Sequence, residues 1–564
     1  MDGPAAVDPS GGTFVRRSYV AVAIAAVSIF SAGALLLALT LPYHDWDAFS
    51  LGDWSVALSH GRELDPTSLG PLVAQRPLFY YAQGALWAIT GVSFTAGRLL
   101  SLCFAALLIA ATTAIARRLT HDRPRAGLGV VLAPIVVVAI PTFAQEAIAG
   151  KTDVPAAAAV AVVCWLALRP HRAIGGRVAL ATAAALALLT KPTTILPVAC
   201  LACVLLVIDR HRLREAVRDT GLPLSAGVLV GLAYLQAAAT RLHLTLGHFL
   251  SAGTDGIWAG RAASARSDAL LGLDVFGGAL RLPLAFVLVY GPLRTFGIRH
   301  RPAAAVSVAA ALVWAVAGPA RSAHVNVFEG PLQGFALVGF AALLAVGIAG
   351  RDDEAPSRAA ASICTVVGLP PLALWAYGSG YATRLGSGAW PALAVLIALV
   401  LVPGVRVLAR GGAAFALVPV TLLAAAVWFS VSSLDNLHGY EWVEYRSLGA
   451  SGIWDRDKTM KIVLPSVQSA LAVIRPALPA DGRLVVGDPS FAYFFSGQVD
   501  QTTPLHCSDL DGTSVFVLST SDESEEAARD EGGLATPADW SRCTDPKVRL
   551  LSDAVSGYAI FSVS

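Results

Sequence analysis

The sequence predicts an all-α polytopic membrane protein that carries a small α/β or α+β domain at its C-terminal end, outside the bilayer. Three observations lead there. Apolar runs of membrane-crossing length recur over residues 1–433, short basic connections between them alternate with longer acidic ones, and residues 434–564 turn to the mixed pattern of a soluble domain. The chain is 55% hydrophobic and 14% charged, with a mean hydropathy of +0.63. Ordinary soluble domains carry about 25% charged residues, so that class is excluded. A nucleic-acid binder is excluded too: the net charge is only +2, and the arginines sit in short clusters that form no continuous basic face.

Crossing a hydrocarbon core of about 30 Å takes roughly 20 apolar residues, and by that measure about thirteen spans are expected. They lie near 19–41, 96–116, 127–142, 154–168, 176–190, 193–208, 222–239, 277–293, 303–319, 330–349, 359–377, 388–405 and 412–433. Arg16/Arg17, Arg117 to Arg125, Arg169 to Arg177, Arg210 to Arg218, Arg294 to Arg301, Arg351/Arg358 and Arg406/Arg410 mark the short basic connections. By the positive-inside rule these face the cytoplasm, as does the N-terminus. The longer loops 42–95, 143–153 and 240–276 then face outward, with everything after residue 433. The first run is longer than a signal-peptide core and lacks an A-x-A-like cleavage site before "LPYHDW", so it reads as a retained helix. The Ala, Gly, Val and Leu richness is that of packed membrane helices, and with its hint of GC-rich coding it points to a bacterial plasma membrane.

In the outer domain, "GRLVVGDPSFAYFFSG" reads as a strand, a turn at Asp488-Pro489 and a short helix or strand, and "TSVFVLST" reads as a further strand. Five of the seven cysteines lie in apolar spans, where small buried hydrophobes are expected; Cys200 and Cys203 have no polar partner that would give them a redox or metal role. Cys507 and Cys543 share the outer domain, and a disulfide between them is expected in an oxidising compartment.

The chemistry-bearing residues concentrate in the outer loops. "YHDWDAF", 43–49, sets Asp45 and Asp47 just beyond the first span. They open a loop of roughly fifty residues, long for a connection between packed spans. Within it, "DAFSLGDWSVALSHG" and "PLFYYAQGALWAIT" are amphipathic or aromatic segments suited to the interface. Taken alone, two such acids are solvated residues ending a helix. Three other segments weigh against that plain reading. In "AQRPLFYY", Gln75 and Arg76 precede Pro77 and the aromatic run with Tyr80 and Tyr81, a setting that suits a lipid phosphate. In "QEAIAGKTDVPAA", Glu146, Lys151 and Asp153 punctuate an outer hinge, with Asp153 opening a helix, at a depth where charge is costly unless paired or functional. In "LLTKPTTILP", Lys191-Pro192 divides the apolar region 176–208 into two spans; the lysine either snorkels to the interface or reaches a phosphate.

On these segments, in this order and spacing, the chain resembles the GT-C superfamily of polyprenyl-phosphate-dependent glycosyltransferases, in particular the aminoarabinose transferase and protein O-mannosyltransferase branch. "DWDAF" sits where that family has its acidic pair, "AQRPLFYY" is similar to its "FEKPPLGYW"-type segment, "GKTDVPAA" to its "DMP" segment and "LLTKP" to its "LTKGP". The chain departs at Gln75, where the family often has glutamate, and at Trp46 between the two aspartates. The resemblance implies a polyprenyl-phosphate sugar donor, an envelope glycan, lipid or protein acceptor, a bilayer setting and inverting transfer. It implies Asp45 or Asp47 as general base, with Asp153 a second acid that positions the acceptor, a metal or a neighbouring cation. Arg76 and Lys191 would hold the phosphate, and Gln75, Tyr80, Tyr81, Glu146, Lys151 and Arg384 join the substrate-binding set. Arg261, Arg266 and Arg321 are further phosphate candidates, against the plainer reading of solvated loop arginines. No cofactor is fixed; a divalent cation (Mg, Mn or Ca) stays open, and His44, His248 and His324 are assigned no metal. The competing classes are a polyprenyl-lipid or solute transporter, or flippase, and a non-catalytic subunit of envelope assembly. A phosphatase fused after Ser564 is expected to be active, reporting an extracytoplasmic C-terminus; a silent phosphatase with a fluorescent cytoplasmic fusion would overturn the assigned orientation.

Overall fold

A computed structural model describes residues 9–40, 52, 54–56, 58–61, 74–123, 125, 127–169, 173–251, 280–317, 339, 342–379, 386–410, 465–487, 491, 495, 498–500, 504–520, 525–526, 528–529, 532–555 and 557–564. Asp45, Asp47, Arg261, Arg266, Arg321, Arg384, His44, His324, the Asp488-Pro489 turn and the run 412–433 therefore lie outside the described residues, and 330–349 is described in part.

The membrane part is helical, and proline, glycine and charge set its breaks. Helix α1 is Pro9–Thr40. Helix α2, Pro77–Thr90, has the length of the expected aromatic segment; Pro77 takes its first position, where a missing N–H costs nothing, and Gly91 at φ +75° ends it. Helix α3, Phe94–Leu119, is capped by Ser93, whose hydroxyl accepts from the Ala96 N–H at 3.2 Å, and ends on Arg117 and Arg118. Next come α4, Leu128–Val138, and α5, Pro141–Ile148. The expected span 127–142 is thus cut short at Val138, because Ile140 precedes Pro141 and takes an extended backbone. Helices α6, Asp153–Ala167, α7, Ile174–Thr190, α8, Ile195–Ile208, α9, Leu222–Arg241, and α10, Leu246–Ser251, follow. The series closes with α11, Arg281–Thr295, α12, His300–Ala317, α13, Arg358–Ser379, and α14, Trp390–Arg410.

Three stretches are long and apolar enough to cross a membrane by length and composition: Thr95–Leu119, Arg210–Arg241 and Ser387–Val407. Shorter apolar helices stand at most of the other expected positions, so the full count of about thirteen is not reached among the described residues. Ser387–Val407 is wholly buried, unlike the other two, and forms the central column of the bundle. An apolar helix surrounded by others can be hydrophobic on every face, as "WPALAVLIALVLVPG" is.

Lys191-Pro192 does divide α7 from α8. Arg177, near the start of α7, pairs with Asp219 at 2.8 Å, and Leu206, near the end of α8, lies against Gly221. The start of α7 and the end of α8 are thus on one side, and the chain reverses at Lys191. The basic connections gather at helix ends of this kind. Arg123 donates to the carbonyls of Asp352 and Ala355 at 3.0 and 2.9 Å, Arg125 pairs with Asp353, and Arg358 donates to the Thr295 carbonyl at 3.0 Å.

Helices α7 and α9 pack at unusually close range. Gly227 and Gly231 of α9 form a G-x-x-x-G spacing in "GVLVG". A Cβ on Gly227 would overlap the Ala181 carbonyl oxygen and lie 2.8 Å from Ala184 Cβ, and one on Gly231 would lie 3.1 Å from Leu188 Cβ. Small residues at this spacing let helix backbones approach, and the contact fixes the end of α7 where Lys191 sits.

The C-terminal domain opens with α15, Pro465–Ala477, and has strands β1, Leu484–Val486, β2, Val499–Asp500, β3, Val515–Ser519, β4, Val548–Val555, and β5, Tyr558–Val563. The order is β2-β1-β3-β5-β4, with β1 parallel to both neighbours and β5 antiparallel to β3 and β4. Both strands expected from sequence are present. Leu484 and Val486 face a core with Val467, Leu471 and Ile474 of α15. Val485 faces the opposite core with Phe516, Trp540 and Phe561, so both faces of β1 are covered. A disulfide joins Cys507 to Cys543 under that second core, as expected.

Gly227→Ala is expected to lower the thermal midpoint of the detergent-purified protein, by an overpacking cost of about 1–3 kcal/mol. Gly175→Ala, where a Cβ meets nothing within 4 Å, should leave it unchanged; equal effects would refute the close-packing argument.

Candidate functional site

The end of the bundle away from Arg177 carries the candidate site. Lys191 lies fourteen residues beyond Arg177 in the sequence, about 21 Å along a helix at 1.5 Å per residue. Lys191 Nζ donates to Asp153 Oδ1 at 2.5 Å, and both side chains are buried. Local structure favours each charge before they meet. Asp153 is in the first turn of α6, at the positive end of its dipole. Lys191 is the C-cap of α7, at a negative end. Each such placement is worth about 0.3–1 kcal/mol, rising to about 2 when partly buried.

A second buried pair stands one turn before Asp153. Glu146 lies in the last turn of α5, Gly150 takes the left-handed φ of +70° that turns the chain, and Lys151 Nζ comes back to 3.9 Å from Glu146 Oε1. Helix α5 is pinned on both sides: Phe143 stacks on Phe30 of α1 at 5.2 Å and meets Trp390 of α14 edge-on at 6.4 Å.

The "AQRPLFYY" segment joins the same end. Phe79 and Tyr80 share a cluster with Leu188, in the last turn of α7, and with Phe249 of α10. Gln75 donates to the Phe249 carbonyl. Tyr80 is buried and Tyr81 exposed beside Trp54, 5.7 Å away. Ser55 Oγ lies within bonding distance of the Tyr80 carbonyl at 3.0 Å and of Gln83 Oε1 at 2.9 Å, which fixes the preceding loop on α2. Arg76 is half-buried, and its Nε has no hydrogen-bond partner among the described residues. His248 is exposed.

The structure therefore brings together Gln75, Arg76, Tyr80, Glu146, Lys151, Asp153 and Lys191, and adds residues the sequence did not single out. Arg98 is buried and donates to the Ala38 carbonyl at 3.4 Å, tying α3 to the last turn of α1. A lone arginine inside an apolar run was the available signal. Thr152, Thr194 and Ser387 are fully buried, and their hydroxyls have no partner among the described residues. The two threonines adjoin noted charges, but nothing in "GSGAWP" marks Ser387. Among the described residues no three His, Cys, Asp or Glu side chains converge as metal ligands, and Asp153 is engaged by Lys191.

Fold and site together define a polytopic helical protein with paired charges buried at one end of the bundle. Residues 73–236, which hold both ion pairs and Arg76, match the family described as dolichyl-phosphate-mannose-protein mannosyltransferase. Across its length the chain is similar to the crystal structure of ArnT from Cupriavidus metallidurans bound to undecaprenyl phosphate, at 14% identity and a TM-score of 0.52, covering 98% of each chain. It is also similar to an archaeal oligosaccharyltransferase, AglB from Archaeoglobus fulgidus, in complex with an inhibitory peptide and a dolichol-phosphate. That match has 12% identity and a TM-score of 0.45, over 96% of this chain and 74% of the other. No curated protein matches in sequence. The resemblance read from the motifs is thus borne out over 73–236 and in the fold; at this identity the likeness to ArnT establishes a common fold alone.

Breaking a buried ion pair from one side leaves an uncompensated charge, at a cost of about 3–5 kcal/mol. Asp153→Asn and Lys191→Met should each destabilise the protein by about that much in denaturant unfolding, and the double variant by clearly less than their sum; simple additivity would show that the pair is not coupled.

Proposed function

We propose that this chain is a membrane glycosyltransferase that moves a sugar from a polyprenyl-phosphate donor to an envelope glycan, lipid or protein on the outer face of the membrane, with inversion. The observation that carries the reading is the buried Asp153–Lys191 pair at 2.5 Å, held where the first turn of α6 meets the last of α7. It lies within the stretch that matches the mannosyltransferase family. ArnT, whose fold the chain shares, binds undecaprenyl phosphate, and a ligand of that kind is proposed here.

In this mechanism the acceptor hydroxyl oxygen attacks the anomeric carbon as the carbon–oxygen bond to the phosphate breaks on the opposite face. The hydroxyl proton passes to an aspartate carboxylate, and the polyprenyl phosphate leaves with its bonding electrons. Asp45, five residues beyond the end of α1 in the sequence, is the proposed base and Asp47 its supporting acid. Arg76, half-buried at the start of α2, is the proposed phosphate contact; its planar guanidinium suits two phosphate oxygens. Asp153 positions Lys191, and the pair presents the substrate with fixed dipoles that need no reorganisation during transfer. Gln75 and Tyr80 hold the segment that carries Arg76. Glu146 and Lys151 stabilise the hinge before Asp153, and Tyr81 and Arg384 stand as further substrate contacts.

The test is the purified protein in nanodiscs with a panel of polyprenyl-phosphate sugars, following release of the lipid phosphate. Asp45→Asn is expected to insert normally and lose about 10²- to 10⁴-fold in rate, with Asp47→Asn milder. The reverse order would move the base to Asp47, and two harmless substitutions would remove the enzyme reading.

A further inference from the structure

The connection between α8 and α9 lies at the end of the bundle away from the ion pairs and is helical throughout. A 3-10 turn at Arg210–Arg212, an α turn at Leu213–Ala216 and a π turn at Val217–Gly221 run without a break into α9. π turns are rare and occur frequently at functional places. This one sets a register. The Leu222 N–H bonds to the Val217 carbonyl, five residues earlier, which keeps Val217 on the face of Leu222; five residues of α-helix would turn them about 140° apart. Leu213, Val217 and Leu222 therefore share one stripe, and they are 51%, 36% and 60% exposed. Leu229 of α9, likewise exposed, continues it.

An exposed apolar stripe on a membrane helix faces lipid, and its ends mark depth. From Leu213 to Tyr234, which is also exposed, the helix rises about 32 Å, close to the thickness of a hydrocarbon core of about 30 Å. Tyrosine favours one interface, so Leu213 stands at the other. Arg210, Arg212 and Arg214 flank Leu213 and are exposed, which places them at the level of lipid phosphates. Asp219 is already shared by Arg177 and Arg218, at 2.8 and 2.9 Å. Asp209 and Glu215 pair with none of the three flanking arginines among the described residues. Five arginines against three acids leave this segment and Arg177 with a surplus of positive charge.

We infer that the α8–α9 connection binds an anionic phospholipid of the adjoining leaflet, a site separate from the one proposed for sugar transfer. Its phosphate accepts from Arg210 and Arg214, one turn apart, and an acyl chain lies along Leu213, Val217 and Leu222. A lipid fits better than free phosphate because the arginines border an apolar, outward-facing stripe. The test is native mass spectrometry of the full chain in detergent, titrated with phosphatidylglycerol and, for comparison, phosphatidylcholine. Phosphatidylglycerol is expected to bind more tightly. Arg210→Gln and Arg214→Gln should each weaken it about five-fold, the effect of one arginine at an anionic surface, while phosphatidylcholine binding stays at the wild-type value and reports an intact bundle. Leu213→Asn should weaken both lipids. Arg299→Gln, at an exposed arginine between α11 and α12, should change neither. Equal affinity for the two lipids, an equal loss in Arg299→Gln, or displacement of phosphatidylglycerol by inorganic phosphate at the lipid's own concentration would overturn the inference.

Discussion

The buried contact between Asp153 and Lys191 is the constraint around which one end of the bundle is arranged. Two charges that far from water persist only if they are paired and well oriented. Pairing them requires that the start of α6 and the end of α7 arrive together, so the two helices must run antiparallel with their short connection at the other end. Each charge also complements the dipole of its own helix. The position of the pair is therefore over-determined, which suits a group that must hold still while charge moves beside it.

What keeps α7 in place is packing more than polarity. The glycines of α9 admit the α7 backbone at a distance no side chain would allow, and Leu188, one turn before Lys191, is also part of the cluster that seats α2. Arg76 is thereby tied to the ion pair through apolar contacts: Leu188 to Phe79 and Tyr80, then along one turn of α2. On the other side, Phe143 wedged between Phe30 and Trp390 links the hinge with Glu146 and Lys151 to the buried central helix. The site thus draws on five or so separate chain segments, which fits the general rule that in membranes irregular backbone and charge survive only where they are enclosed by protein.

At the opposite end, arginines are satisfied by backbone carbonyls and short acidic segments. Arg358 on the Thr295 carbonyl caps the end of α11, and Arg123 on the carbonyls of Asp352 and Ala355 holds the turn that precedes α13. These contacts give the bundle a stapled end, distinct from the end that encloses the buried ion pairs.

Much of this was legible from the sequence because it depends on local physics. Apolar run length marks the helices, Pro77, Pro141 and Pro192 set their breaks through the backbone they forbid, and Cys507 and Cys543 stand out as the only thiols away from apolar runs. The order of short charged motifs pointed to the fold. Tertiary structure alone decided which charges meet: Lys191 read equally well as a snorkelling lysine or a phosphate ligand until Asp153, thirty-eight residues earlier, was seen against it. It alone left Thr152, Thr194 and Ser387 buried with no hydroxyl partner among the described residues, since a hydroxyl in an apolar helix carries no signal of whether a partner awaits it. It also revealed the partner of the α9 glycines, because a G-x-x-x-G spacing states that a backbone can come close without saying which one will. Sequence determines what each segment can bury; the enclosure that holds a buried charge or hydroxyl exists only when segments far apart in the chain have packed.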